Sequence, residues 1–106
     1  MSEPKERVIW SHDAEEELLS IWRYGADEWS PEIADNHLFE IESSCERLLD
    51  EPMLGKSRDE LAVGMRSIFV RPHVIFYQIS KTTIEIVRVL HQRQEIEKVS
   101  WEPVDG

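Results

Sequence analysis

Arginines and histidines are the side chains here whose chemistry could act on something outside the chain. Arg66, Arg71, Arg88 and Arg93 fall within or beside three β-rich runs, Met65–Arg71, His73–Ile79 and Thr83–His91. A guanidinium carries five fixed donors that fit carboxylate or phosphate. Arg88 stands out because it interrupts the apolar run Ile86-Val-Arg-Val-Leu90, where a charge needs a partner or a cleft. With Lys56, Arg58 and Arg66, and with His91 and Arg93 just beyond Arg88, the expectation is a positive concave patch at one side of a sheet. Such a patch would hold a phosphate chain or an acidic partner segment. Action on RNA would also need a positioned acid or base. His91 is the candidate for that role and Tyr77 the next. Charge counting alone favours a plainer role, in which Arg66 and Arg88 pair with the chain's many carboxylates.

Other reactive side chains carry less. His12, His37, His73 and His91 are far apart and show no paired spacing of the His-x-x-x-His kind, so no metal site is expected and each reads as a lone surface or helix-face histidine. Cys45 lies on an apolar helical stripe and reads as a buried, inert thiol. No glycine-rich phosphate loop occurs, and no cofactor is expected. The acidic residues of the first half read as solvated helix faces.

The elements that must position these residues are legible in outline. β-Branched and aromatic residues crowd the three runs, as a half-buried pleated surface requires. Pro72 breaks the first from the second, and Ser80-Lys-Thr82 turns the second into the third. Arg7-Val-Ile-Trp10 reads as a short first strand. Ser11 can cap a helix whose opening turns are acidic, ending near Trp29. Ala14, Leu18, Ile21, Trp22 and Gly25 give it an apolar face. Ser30-Pro31 starts a second helix. Its stripe is Ala34, Leu38, Ile41, Cys45 and Leu48, widened by Phe39 and Leu49. The short link makes the two an antiparallel hairpin that must dock on the sheet. Residues 51–60 read as a loop. Ile96, Val99 and Trp101 follow the last strand without an evident place in the core, which is the usual mark of an interface.

Size and composition set limits. The 106 residues suit one domain, residues 1–106, with a slim core. A hydrophobic fraction of 41% and four tryptophans argue for a folded globule. No apolar run approaches the roughly 18 residues of a membrane helix. The polar opening Met1-Ser-Glu-Pro-Lys-Glu-Arg7 lacks a signal-peptide core, and the single Cys45 suits a reducing compartment, so the cytoplasm is expected. A net charge of −10 argues against direct nucleic-acid binding by the chain alone, since that affinity comes from cations on phosphates.

In this order, Pro52, Gly55, Arg58, Leu61, Gly64 and Arg66, then His73-Val-Ile-Phe-Tyr77 and Ile86-Val-Arg-Val-Leu-His-Gln-Arg93, resemble a ParE-type toxin of the RelE/ParE superfamily. The likeness extends back through Ile9-Trp-Ser11 and the acidic helix pair. It implies an α+β fold, with a short N-terminal strand and an antiparallel helical hairpin packed on a small, mainly antiparallel sheet. It also implies the toxin half of a type II toxin–antitoxin pair, partnered by a ParD-like antitoxin whose C-terminal segment wraps the toxin. ParE-type members are held to poison DNA gyrase. RelE-type relatives cut messenger RNA in the ribosome with basic residues of the sheet and, often, a tyrosine near the C-terminus. Arg66 and Arg88 fall where those sheet basics lie. The tail here carries Trp101 and no tyrosine, which favours a binding toxin over a ribonuclease using Arg66, Arg88 and His91. On this basis the sheet and tail would bind target or antitoxin through Lys56, Arg58, Arg66, Arg88, Arg93, Ile96, Val99 and Trp101, with the hairpin as scaffold. A relative without toxicity is the third possibility.

Overall fold

A computed structural model describes residues 4–94, 96–99 and 101. Strand β1 (Arg7–Trp10) leads into helix α1 (His12–Glu28), and α2 (Pro31–Asp50) returns antiparallel to it. Ser11 and Ser30 cap the helices through their hydroxyls, on the N–H groups of Ala14 and Ile33. These caps satisfy donors that the first helical turn leaves free. Strands β2 (Lys56–Ser57), β3 (Arg66–Val70), β4 (His73–Ile79) and β5 (Thr83–His91) complete a sheet of order β1-β5-β4-β3-β2. Only β1 pairs in parallel, with β5. The remaining pairs are antiparallel, and the fold is α+β.

Strand β5 reads as nearly continuous apolar sequence because it is covered on both sides, as fully buried strands are. Ile84, Ile86 and Val89 join Ala14, Ile41, Cys45, Leu48, Ile75 and Tyr77 beneath the helices. Val87 and Leu90 join Met65 and Phe76 on the opposite face. The switch between faces is made by a bulge: Tyr77 pairs with Ile86 and Phe76 with Arg88, leaving Val87 as the extra residue.

Three expectations need correction. Residues 51–60 are not only loop, for they hold a 3-10 turn at Pro52–Leu54 and the edge strand β2. Phe39 does not widen the stripe of α2 but is 70% exposed. Trp22 is half-buried, and its indole N–H donates to Asp35 at 2.7 Å, tying α1 to α2. A fourth correction bears on function. Ile96, Val99 and Trp101 do have a home: they pack on the Met65, Phe76, Val87 and Leu90 cluster, with Trp101 edge-on to Phe76 at 4.7 Å. The second face of the sheet was apolar and needed a lid, and the short 3-10 turn Ile96–Lys98 folds the tail across it.

Candidate functional site

Arg66 serves the fold. It sits opposite Tyr77 in the β3–β4 ladder. Its Nε donates to the Gly55 carbonyl at 2.8 Å and a terminal nitrogen to the Met53 carbonyl at 3.3 Å. Tyr77, fully buried, donates its hydroxyl to the Pro52 carbonyl at 2.7 Å and accepts from the Gly55 N–H at 2.9 Å. Together they anchor the turn that leaves α2. Gly55 is required there, since a Cβ would lie 2.7 Å from the Ser67 carbonyl oxygen and from the Tyr77 ring. Burial pushes the Tyr77 phenol upward in pKa, which keeps it a neutral donor.

Arg88 is also committed internally. Its Nε donates to Glu17 Oε2 at 2.8 Å, and a terminal nitrogen reaches the same oxygen. The other oxygen of Glu17 accepts from the Val89 N–H at 2.8 Å. The reason lies in the sheet. β1 pairs with β5 only as far as Trp10 and Ile86. Beyond that point the edge of β5 is satisfied by helix side chains, first Ser11 Oγ on the Val87 carbonyl and then Glu17. Donating to the Glu17 carboxylate holds the Arg88 guanidinium further toward its charged form.

The expected single positive patch is therefore not assembled. Arg66 lies on the helix side with Tyr77, and Arg88 lies at the β5 edge with Glu17. Lys56 and Arg58 do share a groove with Phe69 and Val74 on the tail side. Arg58 also stacks over Phe76 at 5.3 Å and pairs with Glu60 at 2.8 Å. A second groove there is bordered by Arg58, Phe76, His91 and Ile96. Arg93 is exposed and enters through its backbone, its N–H donating to His91 Nδ1 at 3.1 Å. In the turn before β3, Gly64 adopts a φ of +83°, and its N–H donates to Asp59, holding that carboxyl below the usual range.

The structure also brings together residues that sequence spacing kept apart. His37 of α2 meets His73 of β4, Nε2 to Nδ1, at 2.8 Å. His73 in turn stands edge-on to His91 at 5.6 Å. The second contact was latent in the hairpin register, which sets His73 opposite His91. The first depends on where α2 docks, and no local pattern encodes it. Burial, then His37 and His91, push the His73 imidazole down from 6.5 to about 4. Among the described residues no group of three or more His, Cys, Asp or Glu is arranged to hold a metal ion. The histidines border a cavity of about 610 Å³ between the hairpin tip and the end of the sheet, walled by Tyr24, Trp29 and Ile33. Those three side chains are 55%, 66% and 51% exposed. Cys45 is buried, and burial, then Glu42 and Glu46, push its thiol up to about 12, so it is not a nucleophile.

A helical hairpin laid on one face of a small sheet is a fold shared with a solved toxin–antitoxin structure. A chain of the structure titled "Chromosomal ParDE TA system from P. aeruginosa" superposes with a TM-score of 0.72 at 20% identity, covering 85% of this chain and 98% of that one. The family model for the ParE toxin of type II toxin–antitoxin system, parDE, matches residues 8–96. Toxin ParE1 of Mycobacterium tuberculosis is 32% identical over 93 residues, 87% of this chain and 95% of that protein. Toxin ParE1 of Caulobacter vibrioides is 33% identical over 82 residues, 77% and 84% of the two. The chain belongs to the ParE toxin family of type II toxin–antitoxin systems. Among the described residues no helix is long and apolar enough to cross a membrane.

Proposed function

We propose that this ParE-family toxin acts by binding rather than by catalysis, with DNA gyrase as its target and a ParD-like antitoxin as its partner. It works as a single domain of residues 1–106 in the cytoplasm. The observation that carries this choice is the engagement of Arg66 and Arg88. A ribonuclease of the RelE kind would need them free to meet a phosphate, yet one holds backbone carbonyls and the other holds Glu17. His91, the candidate proton carrier, uses Nδ1 as the acceptor for a turn. The antitoxin surface shifts accordingly. Ile96, Val99 and Trp101 already cover the sheet, whereas Tyr24, Trp29 and Ile33 stand open around the hairpin cavity. An antitoxin segment with apolar anchors would seat there. Of the expected cations, Lys56 and Arg93 are exposed and available to an acidic target surface, whereas Arg58 is held by Glu60 and the ring of Phe76.

The test is inducible expression of the chain alone, followed by assays of gyrase supercoiling and message integrity. The expected result is lost supercoiling with intact messages, relieved by coexpressing the ParD-like partner. Cut messages with normal supercoiling would establish the ribonuclease instead. Normal growth without antitoxin would mark a relative that has lost toxicity. Replacing Trp29 by Asp should weaken copurification of the partner, with the fold retained because that side chain is exposed.

A further inference from the structure

We infer that His37, His73 and His91 form a proton-operated latch, which ties the first turns of α2 and the turn after β5 to the end of the sheet when neutral and loosens both when the cluster is fully protonated. The geometry requires a facing lone pair. Two imidazole nitrogens 2.8 Å apart share one hydrogen, with one ring donating and the other accepting. A first added proton can sit on an outer nitrogen and leave that bond intact. A second sets N–H against N–H and breaks it. His91 fails by the same rule at a second place. The Arg93 backbone N–H can only donate, so His91 Nδ1 must be unprotonated to accept it at 3.1 Å. Protonation turns that acceptor into a donor and removes the bond.

These bonds join separate elements. The His37–His73 contact is a polar tie from α2 to β4 across 36 residues of sequence. The His91 turn is also held by the Gln94 side chain on the His91 N–H and by the Gln92 N–H on the Pro72 carbonyl. It begins the tail that covers the second face of the sheet. One cluster therefore governs both the mouth of the hairpin cavity and the root of the tail.

On the tail side, His91 shares a groove with Arg58, which is paired with Glu60, and with Glu97, an exposed carboxylate whose pairing is weak. On the cavity side the charges also do little to stabilise a protonated cluster. Glu17 and Tyr24 of α1, Glu40 of α2 and Arg71 from the β3–β4 turn line the same cavity. Glu17 is occupied by Arg88 and the Val89 N–H. Arg71 adds positive charge. Glu40 is the remaining carboxylate on that wall, and it is solvent-exposed, where pairing is weak. Successive imidazolium ions would repel one another and Arg71. The depressed His73 agrees with this, and the sign follows. A histidine held neutral by the fold stabilises it fully above 6.5, and that contribution is lost as pH falls toward about 4.

The inference stands apart from the proposed target, because it is read on the isolated chain. Imidazole and amide nitrogens of the labelled protein would be followed by NMR from about pH 7.5 to about pH 3. His73 should titrate at about 4, well below its ordinary 6.5. Amides near His37 and in residues 92–94 should respond in the same range, with exchange there speeding by about tenfold relative to the β4–β5 core. His37→Gln should abolish the α2 response. His91→Gln, at the exposed turn, should remove the 92–94 response while sparing α2, and it supplies the test if His37→Gln does not fold. Three histidines titrating independently near 6.5 with silent α2 and turn amides would overturn the latch. So would an α2 response that persists unchanged in folded His37→Gln, or a 92–94 response that persists in His91→Gln.

Discussion

The two faces of the sheet are built by different means. Under the helices, 17 and 20 residues of regular structure lay two apolar stripes on the sheet. Polar groups at the margins are satisfied there: Tyr77 on Pro52 and Gly55, Arg66 on Gly55, and Glu17 on Arg88 and Val89. On the other face, Phe76 and its neighbours are covered by scattered residues of loop and tail, among them Leu61, Ile96, Val99 and Trp101, and by the stacked cation of Arg58. The first arrangement is cooperative, since moving a helix would strip many contacts at once. The second consists of a few contacts from short segments, the kind of region that opens at lower free energy than the core. Stability should therefore concentrate on one face and adaptability on the other.

The hardest test of that contrast is truncation beneath the helices. Ile41→Ala, at a fully buried position, should lower the unfolding free energy by about 2–5 kcal/mol, read from the urea midpoint. A cost below 1 kcal/mol would mean that the helix face is not the stable one. Next comes the polar edge. Glu17→Ala leaves Arg88 without its carboxylate and the Val89 N–H without its acceptor. Bonds to charged groups carry about 1.5–3 kcal/mol, and the loss should approach the lower end because both side chains keep some solvent contact. Tyr77→Phe should follow at about 1–3 kcal/mol, through two buried backbone groups left unpaired, with the Gly55 amide exchanging faster.

How far the sequence carried each face follows from the same contrast. Elements set by local signals were legible. The serine caps, the Pro31 start and the 3.6-residue stripe placed both helices, and β-branched runs placed β4 and β5 to the residue. What depended on tertiary contact was not. Phe39 and Trp22 fit a helical stripe by spacing, yet one is exposed and the other turns to Asp35, a choice made only once the hairpin docks. Arg88 was correctly singled out as needing a partner, but its partner lies 71 residues away and no pattern names Glu17. The histidine cluster leaves no mark in the spacing, because its members come from α2, β4 and β5 and meet only after docking. Ile96, Val99 and Trp101 read as an interface in the sequence because nothing local to them names Met65, Phe76, Val87 and Leu90 as the surface they cover.

The smallest expected effect is at that lid, and it sharpens the contrast most. Trp101 is half-buried, and its indole N–H donates to the Ile96 carbonyl at 3.0 Å, within the tail itself. Its hold on the sheet is therefore apolar, through the ring of Phe76. Full burial of a large apolar side chain is worth about 1.5–3 kcal/mol, so a half-buried one should give about 1 kcal/mol. Trp101→Ala should shift the urea midpoint by that amount while leaving the β4–β5 amides protected, and it should expose Phe76 to apolar dyes. Trp101→Phe should recover most of the loss, since it keeps the ring contact and gives up only the internal bond. If Trp101→Ala instead costs as much as Ile41→Ala, or unprotects β5, the tail is part of the cooperative core and the two faces are equals.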